Sequence, residues 1–211
     1  MANIKKIYDI LHEHYGLPPW WSKNPFEVMV GAVLVQNTAW NNVQRTISDF
    51  GDNLTPEYVE HVTEYELENV IRSCGFCKAK AACLKRLAGW YGSYRYSQGK
   101  VMAMPKEHIR TELLAIKGIG AETADVILLY SFYFPVFVID AYTKRLAERL
   151  SFPVILEDVK LKQYFETGLD TDPILFGRYH WLILTHGQEH CKKKPVCIGC
   201  PLAGECSFGR N

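Results

Sequence analysis

Charge of one sign is missing from this chain. Its 24 Lys and Arg stand against 23 Asp and Glu, a formal net charge of +1. A total this close to zero gives no hint of a nucleic-acid partner. Long hydrophobic runs are missing too. The most apolar stretch, Val126–Ile139 (VILLYSFYFPVFVI), is too short to span a bilayer and contains Ser131 and Pro135. It reads as a buried core segment, and no membrane partner is expected. The opening MANIKKIYDILHEHYG has neither a continuous apolar region nor a small-residue cleavage site. A secretory signal is therefore not expected, and the chain reads as cytoplasmic. Nothing alternates with period two over a convincing length, and no repeat or low-complexity linker is visible. With 48% hydrophobic and 22% charged residues, disorder, collagen and coiled coil are excluded as whole-chain descriptions. The 211 residues suffice for one domain or two small lobes with a real core and no disulfide staples.

What is present has helical spacing. Ile4, Ile7, Tyr8 and Leu11 fall on one face of a helix. Phe26–Leu34 (FEVMVGAVL) is nearly all apolar and predicts a buried helix leading into Gln36, Asn37 and Thr38. Val43, Ile47 and Phe50 mark the next, closed by Gly51. Thr55-Pro56-Glu57 carries a cap, a first-turn proline and an early acid, so a helix starts there. Pro105 opens another, running to Ile116. The expected fold class is all-α with short loops.

The neutral total hides segregation. Asp52 to Glu68 holds six acids and no Lys or Arg, whereas Arg72 to Lys117 holds ten basic residues against Glu107 and Glu112. These blocks suit solvated helix faces, and they also permit a local basic surface. The seven cysteines segregate as well. Cys191, Cys197, Cys200 and Cys206 form C-x5-C-x2-C-x5-C within 16 residues. Thiolates this dense call for a metal centre, either zinc or an iron–sulfur cluster; cysteine count alone does not choose between them. Lys192, Lys193 and Lys194 lie in the same loop, placed either to grip phosphates or to stand in solvent. Cys74, Cys77 and Cys83 have no fourth partner nearby, lie along a helix with Cys83 facing Leu87, and read as core residues.

Between these features lies LLAIKGIGAETAD, residues 113 to 125. A helix ends at Ile116, the chain turns through Gly118, Ile119 and Gly120, and a second helix starts near Ala121. Two glycines allow a tight turn and close approach. Backbone N–H groups at the new helix start can bind phosphate without reading sequence, helped by Lys117. Further on, Asp140 ends the apolar run FVID. It can cap the helix Ala141–Leu150, and it can face a cleft, where burial raises its pKa unless it is well hydrogen-bonded.

Glycine hairpin, then an aspartate, then a four-cysteine loop: this order resembles the helix-hairpin-helix DNA glycosylases of the endonuclease III superfamily, over nearly the whole chain. The carrying blocks are LLAIKGIGAETAD, VIDAYTKRL and the cysteine loop. The resemblance implies two helical lobes, one of residues 24–131 and one of 1–23 with 132–211. It implies a monomer bound to double-stranded DNA with a damaged base, and a [4Fe–4S] cluster on Cys191, Cys197, Cys200 and Cys206 rather than zinc. The family's usual loop has one more residue between the first two cysteines. Asp140 matches the family's catalytic aspartate. Glu122 stands where bifunctional members carry the lysine that forms a Schiff base, so the resemblance implies base release by water without strand cleavage, with Glu122 a second catalytic candidate near enough in the pattern to help Asp140.

A narrower likeness, PPWWSKNPFEVMVGAVLVQNTAWNNV, is to the 3-methyladenine DNA glycosylase III branch. There, aromatics hold the flipped base, implying a pocket of Trp20, Trp21 and Trp40, with Trp40 and one of the pair sandwiching an alkylated purine. Gln36 matches the residue that fills the gap in the duplex, with Asn37 beside it. Three alternatives stand beside this reading: a glycosylase for oxidised or deaminated pyrimidines or mismatched thymine, a non-catalytic DNA-binding homologue, and an iron–sulfur electron carrier.

Overall fold

The computed structural model describes residues 3–17 and 19–208. Among them the regular structure is helical, with no strand. In chain order the helices are α1 Ile4–Tyr15, α2 Pro25–Leu34, α3 Trp40–Phe50, α4 Pro56–His61, α5 Glu64–Val70 and α6 Cys77–Ser93. They continue with α7 Gln98–Met102, α8 Lys106–Ala115, α9 Ala121–Val126, α10 Ala141–Arg149, α11 Asp158–Gly168 and α12 Pro173–Glu189. The chain folds as two compact units, Trp21–Phe134 and Met1–Trp20 with Pro135–Asn211. The expected lobe boundaries, 24 and 131, fall just inside the first of these.

In the unit Trp21–Phe134, α2 is the central helix. Asn24 caps it by accepting the Phe26 and Glu27 N–H groups, and Pro25 opens it. Phe26 and every residue from Val28 to Leu34 are buried, because α3, α6, α9 and the π-helical turn Ile127–Ser131 pack around it. An all-round apolar helix is stable only in such a position. Around it the acidic block is cut into short, well-capped pieces. Thr55 caps α4 through the Tyr58 N–H, and Thr63 and Glu66 form a reciprocal capping box on α5. In α3, Val43 and Phe50 are buried as the spacing predicts, but Thr46 takes the buried place expected for Ile47. Its hydroxyl meets Ser73 Oγ at 2.6 Å and Cys74 Sγ at 3.2 Å, so the site is polar rather than apolar.

The apolar run changes form along its length. Ile127–Ser131 is a buried π-helical turn continuing α9, and from residue 133 the chain is irregular up to Asp140. In the second unit, α12 packs against α1 and α10. Ile4, Ile7 and Leu11 of α1 are buried, and the Tyr179 hydroxyl of α12 donates to Ile4 O at 2.9 Å. Phe137 stacks on Phe165 at 4.1 Å, with Tyr179 edge-on to both. Burying rings of this size, at roughly 1.5–3 kcal/mol each, fixes the segment that delivers Asp140. No helix among the described residues is long and apolar enough to cross a membrane.

Candidate functional site

The hairpin forms as its glycines require. α8 ends at Ala115, α9 begins at Ala121, and Gly118 between them has φ +106°, a conformation other residues rarely adopt. A side chain at Gly118 would meet the Cys83 sulfur at 3.0 Å, so the turn lies directly on α6. The turn is held from three sides. Ile119 N–H donates to Ile116 O at 3.0 Å, Arg86 donates to Lys117 O at 2.8 Å, and Gln36 Nε2 donates to Gly118 O at 3.1 Å and Thr123 Oγ1 at 3.0 Å. Lys117, Gly118 and Gly120 are exposed and Ile119 is buried. Gly120 precedes α9 with open space where a side chain would stand, which leaves the helix start accessible to a phosphate.

Beside the turn lies a cavity of about 170 Å³, with Gln36, Asn37, Phe76, Lys80, Cys83 and Gly118 on its wall. Two of these residues were not singled out by sequence. Lys80 is buried, and its ammonium donates to Leu34 O, Thr38 Oγ1 and Cys74 O, each at 2.8 Å. It ties the corner after α2 to α6. Phe76 is 72% exposed and held at φ +48° just before α6. A large apolar ring is thus displayed in a left-handed conformation beside the glycine turn. Its sequence signal was only an aromatic between Gly75 and Cys77. Asn37 is also left-handed, at φ +53°, and exposed.

The aromatics are arranged differently from the expected sandwich. Trp21 and Trp40 touch edge-to-face, with centroids 5.1 Å apart and planes at 77°. Two parallel walls with room for a base would stand farther apart than this pair does. Trp21 rests on Gly31, where an added Cβ would fall 2.5 Å from the indole. Its far side meets Tyr130 at 5.8 Å, an aromatic that the sequence concealed within an apolar run. Trp40 is 36% exposed, and Trp20 is half-buried in the other unit. Glu122 is exposed on the first turn of α9. On the same helix, Asp125 is buried and pairs with Arg110 at 2.9 Å.

In the second unit, Asp140 is both the N-cap of α10 and a buried carboxylate, 7% exposed. Its Oδ1 accepts the Thr143 N–H at 2.7 Å, and its Oδ2 faces His180 Nε2 at 3.6 Å. Burial pushes this carboxyl up, but His180 and Thr143 outweigh burial and hold it below the usual carboxylate value. The expected burial penalty is therefore present and reversed. His180, from α12, had no signal of its own in the sequence.

The cysteine loop closes the same unit. All four cysteines, Cys191, Cys197, Cys200 and Cys206, carry free thiols and line one cavity of about 30 Å³. Among the described residues no group of three or more His, Cys, Asp or Glu is drawn together around a single metal ion. Burial pushes the Cys200 thiol up, and charge on Cys197, Cys191 and Cys206 acts in the same direction. Four thiolates cannot share this space without positive charge between them. Arg149, unflagged by sequence, supplies part of it. One nitrogen donates to Cys191 Sγ at 3.2 Å and Lys192 O at 2.8 Å, and the other to Lys193 O at 3.1 Å. The lysine loop is thus pinned at its backbone while Lys192, Lys193 and Lys194 are exposed. The other three cysteines match the core reading in part: Cys74 and Cys83 are buried, while Cys77 is half-buried.

Comparison with known proteins is consistent across the chain. Residues 30–163 match the model of the HhH-GPD superfamily base excision DNA repair protein. The "Putative DNA repair glycosylase MJ1434" of Methanocaldococcus jannaschii is 41% identical, over 96% of this chain and 95% of that one. Endonuclease III of Sulfolobus acidocaldarius is 28% identical, over 89% and 83%. Among solved structures, a trapped endonuclease III–DNA covalent intermediate has a TM-score of 0.80 at 24% identity, covering 100% of this chain and 98% of that one. The 3-methyladenine DNA glycosylase of H. pylori, bound to an ethenoadenine, has a TM-score of 0.76 at 25% identity, covering 89% and 98%. With its hairpin, its capping aspartate and its cysteine loop, the chain belongs to the HhH-GPD superfamily of base excision DNA repair proteins.

Proposed function

We propose that this protein is a monofunctional DNA glycosylase that hydrolyses the bond between the sugar and an alkylated purine, such as 3-methyladenine, flipped from double-stranded DNA. The observation that carries the reading is Asp140, a buried carboxylate held below its usual pKa at the start of α10. An ionised carboxylate in a water-poor site stabilises a developing oxocarbenium ion and orients or deprotonates the attacking water. A cationic alkylated purine is already a good leaving group and is attracted to aromatic faces. Trp21, Trp40 and Tyr130 supply such faces, and the resemblance adds Trp20 as a candidate. Gly118, Ile119 and Gly120 with Lys117 are proposed to hold phosphate, joined by Lys192, Lys193 and Lys194. Gln36 and Asn37, with Phe76 as wedge, are proposed to occupy the space the flipped nucleotide leaves. Glu122, exposed where a lyase lysine would stand, cannot form a Schiff base.

The four cysteines fit a [4Fe–4S] cluster: free thiols around one cavity, with Arg149 offering charge beside Cys191. The choice of cluster over a single zinc ion rests on the family resemblance. When bound, the cluster would supply positive charge to the thiolates and cross-link the loop.

The test is incubation with duplexes that each carry one lesion: 3-methyladenine, 7-methylguanine, hypoxanthine, uracil, thymine opposite guanine, and an oxidised pyrimidine. Strand breaks are scored with and without alkali. Release of a methylated purine, with breaks only after alkali, is expected. Breaks without alkali overturn the monofunctional reading. Release of oxidised or deaminated pyrimidines alone favours the second reading, which the likeness to endonuclease III of S. acidocaldarius supports.

A further inference from the structure

We propose that His180 is a positioning residue for base release, its imidazole fixing the charge and orientation of the Asp140 carboxylate from the α12 side. This rests on the reading of Asp140 as the catalytic carboxylate.

Two oxygens must be accounted for. Oδ1 is taken by the Thr143 N–H as an ordinary helix cap. The Thr143 side chain also bonds the carboxyl, and the cap itself makes no demand on the partner that Oδ2 meets. Oδ2 faces Nε2 of His180 at 3.6 Å, an ion-pair distance longer than a hydrogen bond. His180 sits in a layer where its neighbours Tyr179, Leu182 and Ile183 are core residues, and it is itself only 5% exposed. A polar ring there is costly without a partner of matching chemistry, and a carboxylate is that partner.

The other charged groups nearby are engaged elsewhere. On α10, Lys144 pairs with Asp158 at 2.6 Å, Arg145 donates to Cys191 O at 2.7 Å, Arg149 grips residues 191–193, and Glu148 is exposed. On α12, His186 bonds the Tyr15 hydroxyl at 3.2 Å, and Arg178 acts on Tyr8. From α1, Asp9 acts on Tyr8 and Tyr179, and His14 lies against His190. Among these groups, His180 is the one whose charge Asp140 feels, and its effect opposes the burial of the carboxyl. Removing it should raise the pKa at which Asp140 ionises, and so move the acid limb of base release to higher pH.

The experiment is single-turnover release of methylated purines from methylated duplex DNA, across acid to neutral pH. The proteins compared are wild type, Asp140→Asn, His180→Phe, His180→Gln and His180→Asn. His180→Phe is expected to slow the plateau rate by about tenfold or more, to shift the acid limb upward, and to leave DNA affinity unchanged. His180→Gln, whose amide reaches the Nε2 position, should recover most of the rate, and the shorter His180→Asn should not. A wild-type rate and acid limb in His180→Phe overturns the proposal. So does a slow His180→Phe whose acid limb has not moved, since that is only a packing defect. If His180→Phe does not fold, equal rates for the Gln and Asn variants overturn it. An active Asp140→Asn would sink the reading of Asp140 itself. An inactive Asp140→Asn beside an unaffected His180 series would sink only this inference.

Discussion

Gln36 Nε2 is shared between two acceptors of the hairpin, Gly118 O at 3.1 Å and Thr123 Oγ1 at 3.0 Å. The residue proposed to enter the duplex is therefore also a brace of the turn proposed to hold phosphate. Thr123 is buried, so its hydroxyl has little access to water as a substitute. Gln36→Ala is expected to lower stability by about 1–2 kcal/mol in urea unfolding, the sum of two modest hydrogen bonds. An unchanged midpoint would mean that these bonds are not held in solution.

Gly118 makes a sharper prediction because two separate costs meet there. Its φ of +106° strains any residue with a Cβ, and that Cβ would stand 3.0 Å from Cys83 Sγ. Gly118→Ala should cost about 1–3 kcal/mol. Adding Cys83→Ala removes the sulfur but leaves the Cβ of residue 83, 3.1 Å from the new side chain, and the strained backbone, so the double variant should recover a small part of the stability and no more. Full recovery in the unfolding midpoint would show that the backbone conformation carries no penalty.

Asp140 allows capping and charge to be separated. Asp140→Ala removes the cap and should cost about 0.5–2 kcal/mol at neutral pH, whereas Asp140→Asn keeps a capping side chain and should cost less. The carboxyl's ordinary value is 3.8, and in the fold it lies lower. The unfolded chain then takes up the proton first on acidification. Its stabilising contribution is complete above 3.8 and is lost as pH falls through the folded value. The stability gap between wild type and Asp140→Asn should therefore narrow below that pH in acid urea titrations. A constant gap would contradict the lowered pKa.

These residues show why some of the molecule was readable in advance and some was not. The helix starts at Thr55 and Asp140 were legible because these residues act within three residues of themselves. The hairpin was legible because glycine spacing dictates a local turn. Lys80, Phe76, Arg149 and His180 were not. Each gains its meaning from partners far along the chain, such as Leu34 for Lys80 and Cys191 for Arg149, or from exposure that only the fold creates. The angle between the aromatics was hidden for a related reason. Trp21 and Trp40 meet edge-to-face with Gly31 beneath Trp21, and residue spacing does not encode such an angle.

The lysine loop tests whether the net charge of +1 conceals a phosphate grip. Arg149 and Arg145 fix the backbone of residues 191–193, so the three exposed lysines start from a constrained base rather than a floppy one. Constrained cations give up less freedom on meeting phosphate, and each ion pair formed releases counterions from the duplex. Replacing Lys192, Lys193 and Lys194 together with alanine should weaken undamaged and damaged duplex alike. It should also flatten the plot of log affinity against log salt by about 0.9 for each phosphate that is no longer neutralised. The preference for lesion over undamaged DNA should stay constant, because phosphate contacts carry no information about the base. An unchanged salt slope would place the loop in solvent. A changed lesion preference would place it at the base pocket, and either result removes it from the phosphate grip.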